Sequence, residues 1–469
     1  MGLFHNYMMA AAASTTGGGV TPSTINNSCR FDSASSAYMS RTYGTGGDQD
    51  KWTLSFWLKQ CKFGASQYIF GSGANSGSTF DVLINSSNQL QVLNYVGSYQ
   101  TNLITSGTFT DQAQWQHIVI VYDSAQSTAA DRVTIYLDGS EITSFGTATY
   151  PSQNTDSVVG SNTEIGFGRH ISNGSDPADI YLSDINYVNG EAKTATSFGM
   201  DDSGTWKPIA YSGTYGTGGF YLDFASSGDL GNDVSGNNND MSTSGLASND
   251  QVTDTPTSNK SILNPKTDTA IGHLSAATIS EGGLKITVTA SSLSTRAPAT
   301  LKVSSGKWYW EGKYTGTTGG QNYGHFGIWD SGTDLATSTI GGGAAADNEW
   351  FMSDDATQSH DGSDSSTGLG NWTLNDIIQI SIDLDADKLW FGRQNTFDGD
   401  PANGTGESFS SIGNNIVPVT YAYGGGDGQG SWELNFGQHD FTYTPPSGFE
   451  AIASDNAQEE TVSVAPTPT

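Results

Sequence analysis

Trp52-Thr-Leu-Ser-Phe-Trp-Leu-Lys59 places Trp52, Leu54, Phe56 and Leu58 on one side of an extended chain. Thr53, Ser55 and Lys59 fall on the other side, with Trp57 the one bulky residue among them. A period of two with one apolar face is the pattern of a half-buried β-strand. The alternation continues in Trp115-Gln-His-Ile-Val-Ile-Val-Tyr-Asp123 and Arg132-Val-Thr-Ile-Tyr-Leu-Asp-Gly139. Far downstream it returns in Gly306-Lys-Trp-Tyr-Trp-Glu311, in Glu433-Leu-Asn-Phe-Gly437, and between residues 376 and 385. There Ile378, Ile380, Ile382 and Leu384 alternate with Gln379, Ser381 and Asp383. Two such sets predict an all-β chain of two antiparallel sandwiches in tandem.

Composition agrees. The 469 residues include 59 glycines, well above the roughly 7% of average usage, as short strands joined by tight turns require. Eleven Trp, 20 Tyr and 20 Phe need a core, which excludes a disordered chain. The net charge of −30 repels phosphate backbones and anionic lipid heads, which argues against nucleic-acid and electrostatic membrane partners. No run of eighteen apolar residues is present, so no membrane insertion is expected. Cys29 and Cys61 are too few for a disulfide framework. The apolar start carries no Lys or Arg ahead of it, unlike a secretory leader, so folding in a cytoplasm is expected.

Along the chain, residues 1–24 read as a short arm. Its apolar tip (Leu3, Phe4, His5, Tyr7, Met8, Met9) is followed by Ala10 to Ala13 and a Gly17-Gly-Gly19 spacer. Such a tip suits docking into a partner or a neighbouring subunit. Residues 25–222 read as the first sandwich, with Asp138-Gly139 as the clearest hairpin turn. Residues 223–268 read as a polar connector, either free or ordered and pinned along the sandwiches, 269–451 as the second sandwich, and 452–469 as an acidic, Pro/Thr-rich tail.

The first module resembles the laminin-G-like, concanavalin A-like jelly roll. The matching residues are Arg30-Phe31, Tyr38-Met-Ser-Arg41, Trp52–Lys59, Trp115-Gln-His-Ile118, Val133-Thr-Ile-Tyr-Leu-Asp-Gly139 and Glu164-Ile-Gly-Phe-Gly168. With its Phe4-His-Asn6 start, the N-terminal half is similar to the version found in tailed-phage structural proteins. The second module resembles a SPRY domain through Gly306-Lys-Trp-Tyr-Trp-Glu311, Tyr323-Gly-His-Phe-Gly-Ile328, Lys388-Leu-Trp-Phe391, Asn435-Phe-Gly437, Pro445-Pro446 and Phe449. After Phe391 the chain reads Gly-Arg-Gln-Asn-Thr, without the Asn-Gly step usual there. These resemblances imply a non-catalytic virion protein, a tail fibre, tail-tip adhesin or capsid-borne fibre. It would be held by its arm to other virion proteins, oligomeric with a trimer as the usual fibre solution, and would meet a host-surface glycan or receptor.

The residues themselves spell no catalytic site. Asp383, Asp385 and Asp387 share a strand face but run into a polar turn, and read as a solvated hairpin end. The seven histidines form no zinc pattern; His117 and His325 sit among strand apolars and read as core or interface residues. The Asp229–Asp240 stretch fails the EF-hand spacing and reads as a turn cluster. Calcium in an Asp-rich turn is the alternative to no cofactor. Trp350, Phe351, Tyr421 and Tyr423 are the candidate aromatic platform for a glycan. The alternatives to a virion protein are a secreted lectin and a concanavalin-fold glycanase.

Overall fold

The computed structural model describes residues 21–44, 47–264, 277–288, 295–316, 324–331, 348–422, 431–455 and 460–461. The fold is all-β, two antiparallel jelly-roll sandwiches, with no α-helix among the described residues. In the first, one sheet runs in the order Ser140–Glu141, Val133–Leu137, Gln116–Asp123, Lys51–Gln60, Ile180–Asn189, Ser28–Phe31, Gln251–Val252. The facing sheet is built on Gln67–Asn75, Ser78–Ile84, Leu90–Val96 and Tyr99–Thr105, with Tyr38–Thr42 and Glu164–Phe167 beside them. Trp52, Leu54, Phe56 and Leu58 enter the core between the sheets as their alternation requires. Trp52 stacks on Tyr122 with centroids 5.5 Å apart and meets the edge of Phe80 at 5.2 Å.

The second sandwich pairs the Lys307–Tyr314, Ile377–Asp383, Lys388–Arg393 and Trp432–Asn435 strands in one sheet. Gly324–Asp330, Glu349–Ser353, Thr357–His360 and Ile416–Ala422 belong to the other. Where Asn-Gly was missing after Phe391, Gln394 (φ 50°) and Asn395 (φ 64°) supply a two-residue turn that closes the Arg393↔Thr396 pair. Asp383, Asp385 and Asp387 lie at the end of the strand Ile377–Asp383 and its turn, but only Asp385 is exposed there, and Asp383 is buried at 4% exposure because it is paired. Asp383 binds the Lys307 ammonium at 2.8 Å, and Asp387 accepts the Ile412 amide at 2.7 Å.

The connector is no free tether but is pinned along the first sandwich: Ser242–Ser244 pairs with Tyr38–Thr42, Gln251–Val252 pairs with Ser28–Phe31, and Phe224, Leu230 and Met241 enter the first core. Apolar residues spaced among turn formers were too sparse for a strand pattern, yet they suffice to pin the chain. Nor is the strand at residues 51–60 half-buried. Thr53, Ser55 and Lys59 are 0% exposed and Trp57 is 3% exposed. Its polar side is covered by residues 199–208 and by the segment 253–264 that passes between the sandwiches.

That covered side is held by polar bonds. The Lys59 ammonium donates to Asp254 Oδ2 (2.7 Å), Asn259 Oδ1 (2.7 Å) and the Lys260 carbonyl (2.6 Å), so all three protons are placed. Asp254 Oδ1 accepts from Trp115 Nε1 (2.9 Å) and from the Lys260 amide (3.1 Å). Both side chains of the ion pair are 0% exposed. Arg30 adds a second tie, to Asp250 and Glu281 at 2.9 Å each, and Tyr181 Oη donates to the Gly282 carbonyl at 2.8 Å. Around these ties, Trp57, Cys61, Trp115 and Tyr181 of the first sandwich share one apolar cluster with Ile262, Leu263 and the second core. Cys29 lies in the other core, so the two free thiols sit on opposite faces of one sheet; burial pushes both well up.

Two outcomes are expected. Lys59→Met leaves Asp254 buried without its cation and should cost about 3–5 kcal/mol in urea unfolding. Adding Asp254→Asn, which keeps an acceptor for Trp115 and Lys260, should recover part of the loss. A cost under about 1 kcal/mol for the single variant would show that the pair is no joint. Ile380→Asp places a carboxylate at a position 0% exposed in the second core. The sequence alone predicts damage confined to that half. The shared cluster instead predicts that limited proteolysis finds the first sandwich less protected as well, and an unaltered first sandwich would contradict this.

Candidate functional site

The hairpin at Asp138-Gly139 begins the site. Asp138 (φ 46°) and Gly139 (φ 80°) join Val133–Leu137 to Ser140–Glu141 in a two-residue turn, as the sequence suggests. Glycine is required twice over at 139. Its φ is left-handed, and a Cβ there would come within 2.4 Å of the Trp206 ring. Trp206 stands on the strand Thr205–Pro208, paired with Gly199–Asp202, and a Cβ on Gly199 would come within 2.5 Å of the same indole. Two glycines therefore let the backbone pack closely against this ring.

Trp206 Nε1 donates to His117 Nδ1 at 2.9 Å. An indole can only donate, so the imidazole proton lies on Nε2, which reaches Ser55 Oγ at 2.8 Å. Burial drives the His117 pKa down to about 3, so the ring is a neutral, fixed acceptor that orients Trp206. It stacks between Trp57 (4.7 Å between centroids) and Trp206 (6.1 Å).

These elements enclose a cleft of about 660 Å³ on the seam between the sandwiches. Trp57 and Trp115, 3% and 7% exposed, underlie it, and half-buried Trp206 forms a wall. Pro256 and Asn259 come from the segment between the sandwiches, and Gln114, Ser140 and Thr205 add hydrogen-bonding groups. Two carboxylates line it. Asp201 Oδ1 accepts the Gly204 amide at 3.2 Å. Asp138 Oδ1 accepts the His117 amide at 2.8 Å, while the protein mass around this solvent-accessible carboxyl raises its pKa to about 6. Flat apolar indole beside directional acceptors and donors is the chemistry that holds a sugar ring by its C–H face and its hydroxyls.

Two of the four rings in the platform expected from sequence are taken up by the core. Trp350 and Phe351 are each 3% exposed within the wholly buried strand Glu349–Ser353, where Trp350 stacks on His360 (4.4 Å) and Phe351 on His325 (4.3 Å). Core packing absorbs both rings. Tyr421 lies on the strand Ile416–Ala422, opposite Arg296 and His325 in register. Tyr423 and the arm residues Leu3, Phe4, His5, Tyr7, Met8 and Met9 lie outside the described residues. His117 and His325 are buried, as read. Asp233 accepts the Tyr221, Ser235 and Asn239 amides, so the Asp229–Asp240 cluster ties its own turns. Sequence reasoning missed Trp57, Trp115, Trp206, Asp138 and Asp201 as one constellation. The available signal was Trp57, a bulky ring on an otherwise polar strand face.

Residues 33–186, about a third of the chain, match the family model of the concanavalin A-like lectin/glucanases superfamily. No curated protein sequence matches the chain. Among solved structures, the SPRY domain of human HERC1 is 17% identical, with 36% of this chain and 95% of that one covered at a TM-score of 0.28. A putative carbohydrate binding protein from Bacteroides ovatus is 16% identical, with 48% and 58% covered at 0.31. Domain 4 of the arabinanase AbnA from Geobacillus stearothermophilus, solved with arabinotriose, is 16% identical, with 32% and 65% covered at 0.23. All are distant, partial likenesses.

Proposed function

We propose that this protein is a non-catalytic, glycan-binding structural component of a tailed-phage particle, and that the cleft lined by Trp57, Trp115 and Trp206 is where it engages a sugar of the host surface. The cleft carries the reading: an accessible indole packed against two glycines and oriented by a neutral histidine is a preorganised stacking surface. The superfamily match of residues 33–186 is in keeping with it. The particle part rests on the sequence resemblance and on the apolar arm (Leu3, Phe4, His5, Tyr7, Met8, Met9), which would fasten the chain to other virion proteins in a homo-oligomer, with trimeric closure the usual fibre geometry.

A second reading, glycan hydrolysis, has one observation behind it. Asp138 holds a raised pKa and shares the cleft with a second carboxylate, the combination that acid–base hydrolysis uses. Against it, both carboxylates sit at turns near the rim, and Asp201 is engaged in capping one.

Trp206→Ala should weaken binding to the recognised glycan at least tenfold on an array of surface polysaccharides. Gly139→Ala should do the same by displacing the ring, while far-UV dichroism stays unaltered. Retained affinity in both variants would remove the cleft from the reading. Release of reducing sugar by the wild type, lost in Asp138→Asn, would replace binding by hydrolysis. Purified phage particles should contain the chain, and deletion of residues 1–20 should abolish its incorporation. Particles devoid of it would end the virion assignment.

A further inference from the structure

The charge on the cleft walls restricts the sugar. Asp138 and Asp201 line the cleft, and no Lys, Arg or His does so among the described residues. One oxygen of Asp138 accepts the His117 amide, and the other has no protein donor among the described residues. The cations of the surrounding elements are already committed. Lys207 pairs with Asp202 at 2.8 Å on the same hairpin as Asp201. Lys59 is consumed by Asp254, and Lys260, buried with its Nζ on Ser258 Oγ at 2.7 Å, is not among the lining residues. His117 is neutral, and Glu141, on the hairpin of Asp138 itself, adds a further negative charge. A uronate, sialate or phosphate-bearing sugar would meet two carboxylates here, within a chain of net charge −30. The site lacks a positive group, and a ligand can bring one.

We infer that the cleft takes an amino sugar with a free amine, a de-N-acetylated hexosamine within a polysaccharide, seated with its ring face on Trp206 and its ammonium on the carboxylates of Asp138 and Asp201. The inference rests on the reading of the cleft as a sugar site and adds the class of sugar. An ammonium offers three donors and a full charge, which fits acceptors that the protein leaves unpaired. The N-acetylated form of the same sugar keeps its ring face but presents a neutral amide.

Protonation gives the interaction a direction. The Asp138 pKa is raised to about 6, so the carboxylate is largely lost as the pH falls through that value, and the amine loses its charge at higher pH. Affinity for the free-amine ligand should therefore rise through pH 6 and fall again once the amine deprotonates. The N-acetylated ligand should show no upper limb.

The test titrates the full chain with glucosamine tetramer and with N-acetylglucosamine tetramer, read by tryptophan fluorescence at 0.15 M salt from pH 5 to 8.5. Spermine is the competitor that controls for attraction to net charge. The expected result is at least tenfold tighter binding of the free-amine tetramer at pH 7, resistant to an equal concentration of spermine. Asp138→Asn should reduce the preference to under threefold and remove the acid limb. Asparagine keeps the amide acceptor for His117 and tolerates the left-handed φ, so the hairpin should survive. Equal or tighter binding of the N-acetylated tetramer would overturn the amine inference and leave the sugar site standing. Free-amine binding unchanged by Asp138→Asn and by Trp206→Ala would mark attraction to net charge and overturn it too. No binding of either tetramer, or of neutral surface polysaccharides, would end the sugar reading itself.

Discussion

A lysine and an aspartate with no solvent contact hold the two sandwiches together. Removing both charges from water costs several kcal/mol per ion, so the pair survives only because every proton and most lone pairs are matched. Lys59 places its three protons on Asp254, Asn259 and the Lys260 carbonyl, and Asp254 uses its other oxygen for Trp115 and the Lys260 amide. One partner lies on a central strand of the first sandwich, and the other lies in the segment leading into the second. The pair can form only if that segment lies flat across the sheet, which fixes the register of residues 254–260 on the strand at 51–60. Apolar contacts are non-directional and could not set that position so narrowly. The shared apolar cluster supplies the area, and the ion pair supplies the geometry.

The cleft follows from the same constraint. Trp115 is tied to Asp254 through its indole N–H, and Asn259 is tied to Lys59 through its amide oxygen. Two of the cleft's lining residues are therefore set by the joint between the halves. The opposite wall is set independently, by the Asp138-Gly139 turn, the Gly199 side of the hairpin and the His117 acceptor. Residues of both the covering hairpin (Asp201, Gly204, Thr205, Trp206) and the connecting segment (Pro256, Asn259) line the recess.

The sheets were legible in the sequence wherever alternation was strong. Residues 52–59, 116–122, 133–137 and 377–383 lie in strands with the apolar residues facing a core. The Asp138-Gly139 turn was legible because few residue pairs accept two consecutive left-handed φ values. The covering of the polar strand face was not legible. Thr53, Ser55 and Lys59 read as solvated because periodicity reports which residues share a side and is silent on what lies over that side. Only tertiary structure shows that Asp254, 195 positions away, satisfies Lys59. The candidate site was misplaced for a related reason. Trp350 and Phe351 were conspicuous as neighbours in sequence, but neighbours on a strand face opposite ways, and here both ways are buried. The rings that do share a surface are spread from residue 57 to residue 206 and meet only through folding.

The charge distribution carries the same logic to the surface. Lys and Arg number 18 against 48 Asp and Glu, and the structure commits many of those cations internally. Arg30, Lys59 and Arg296, whose own side chains are no more than 6% exposed, are in ion pairs, and Lys307, Lys388 and Arg393 pair with carboxylates within the second sandwich. Cations spent on joints are absent from the exterior, so the surplus of carboxylates faces solvent. Around the cleft this leaves acceptors without donors, beside an indole fixed in place before any ligand arrives. Such a surface repels anions at long range and, at contact, favours groups that donate hydrogen bonds or carry positive charge. Cohesion and surface charge are thus linked: Lys59 is spent on the joint, and the residues lining the cleft include two carboxylates and no cation.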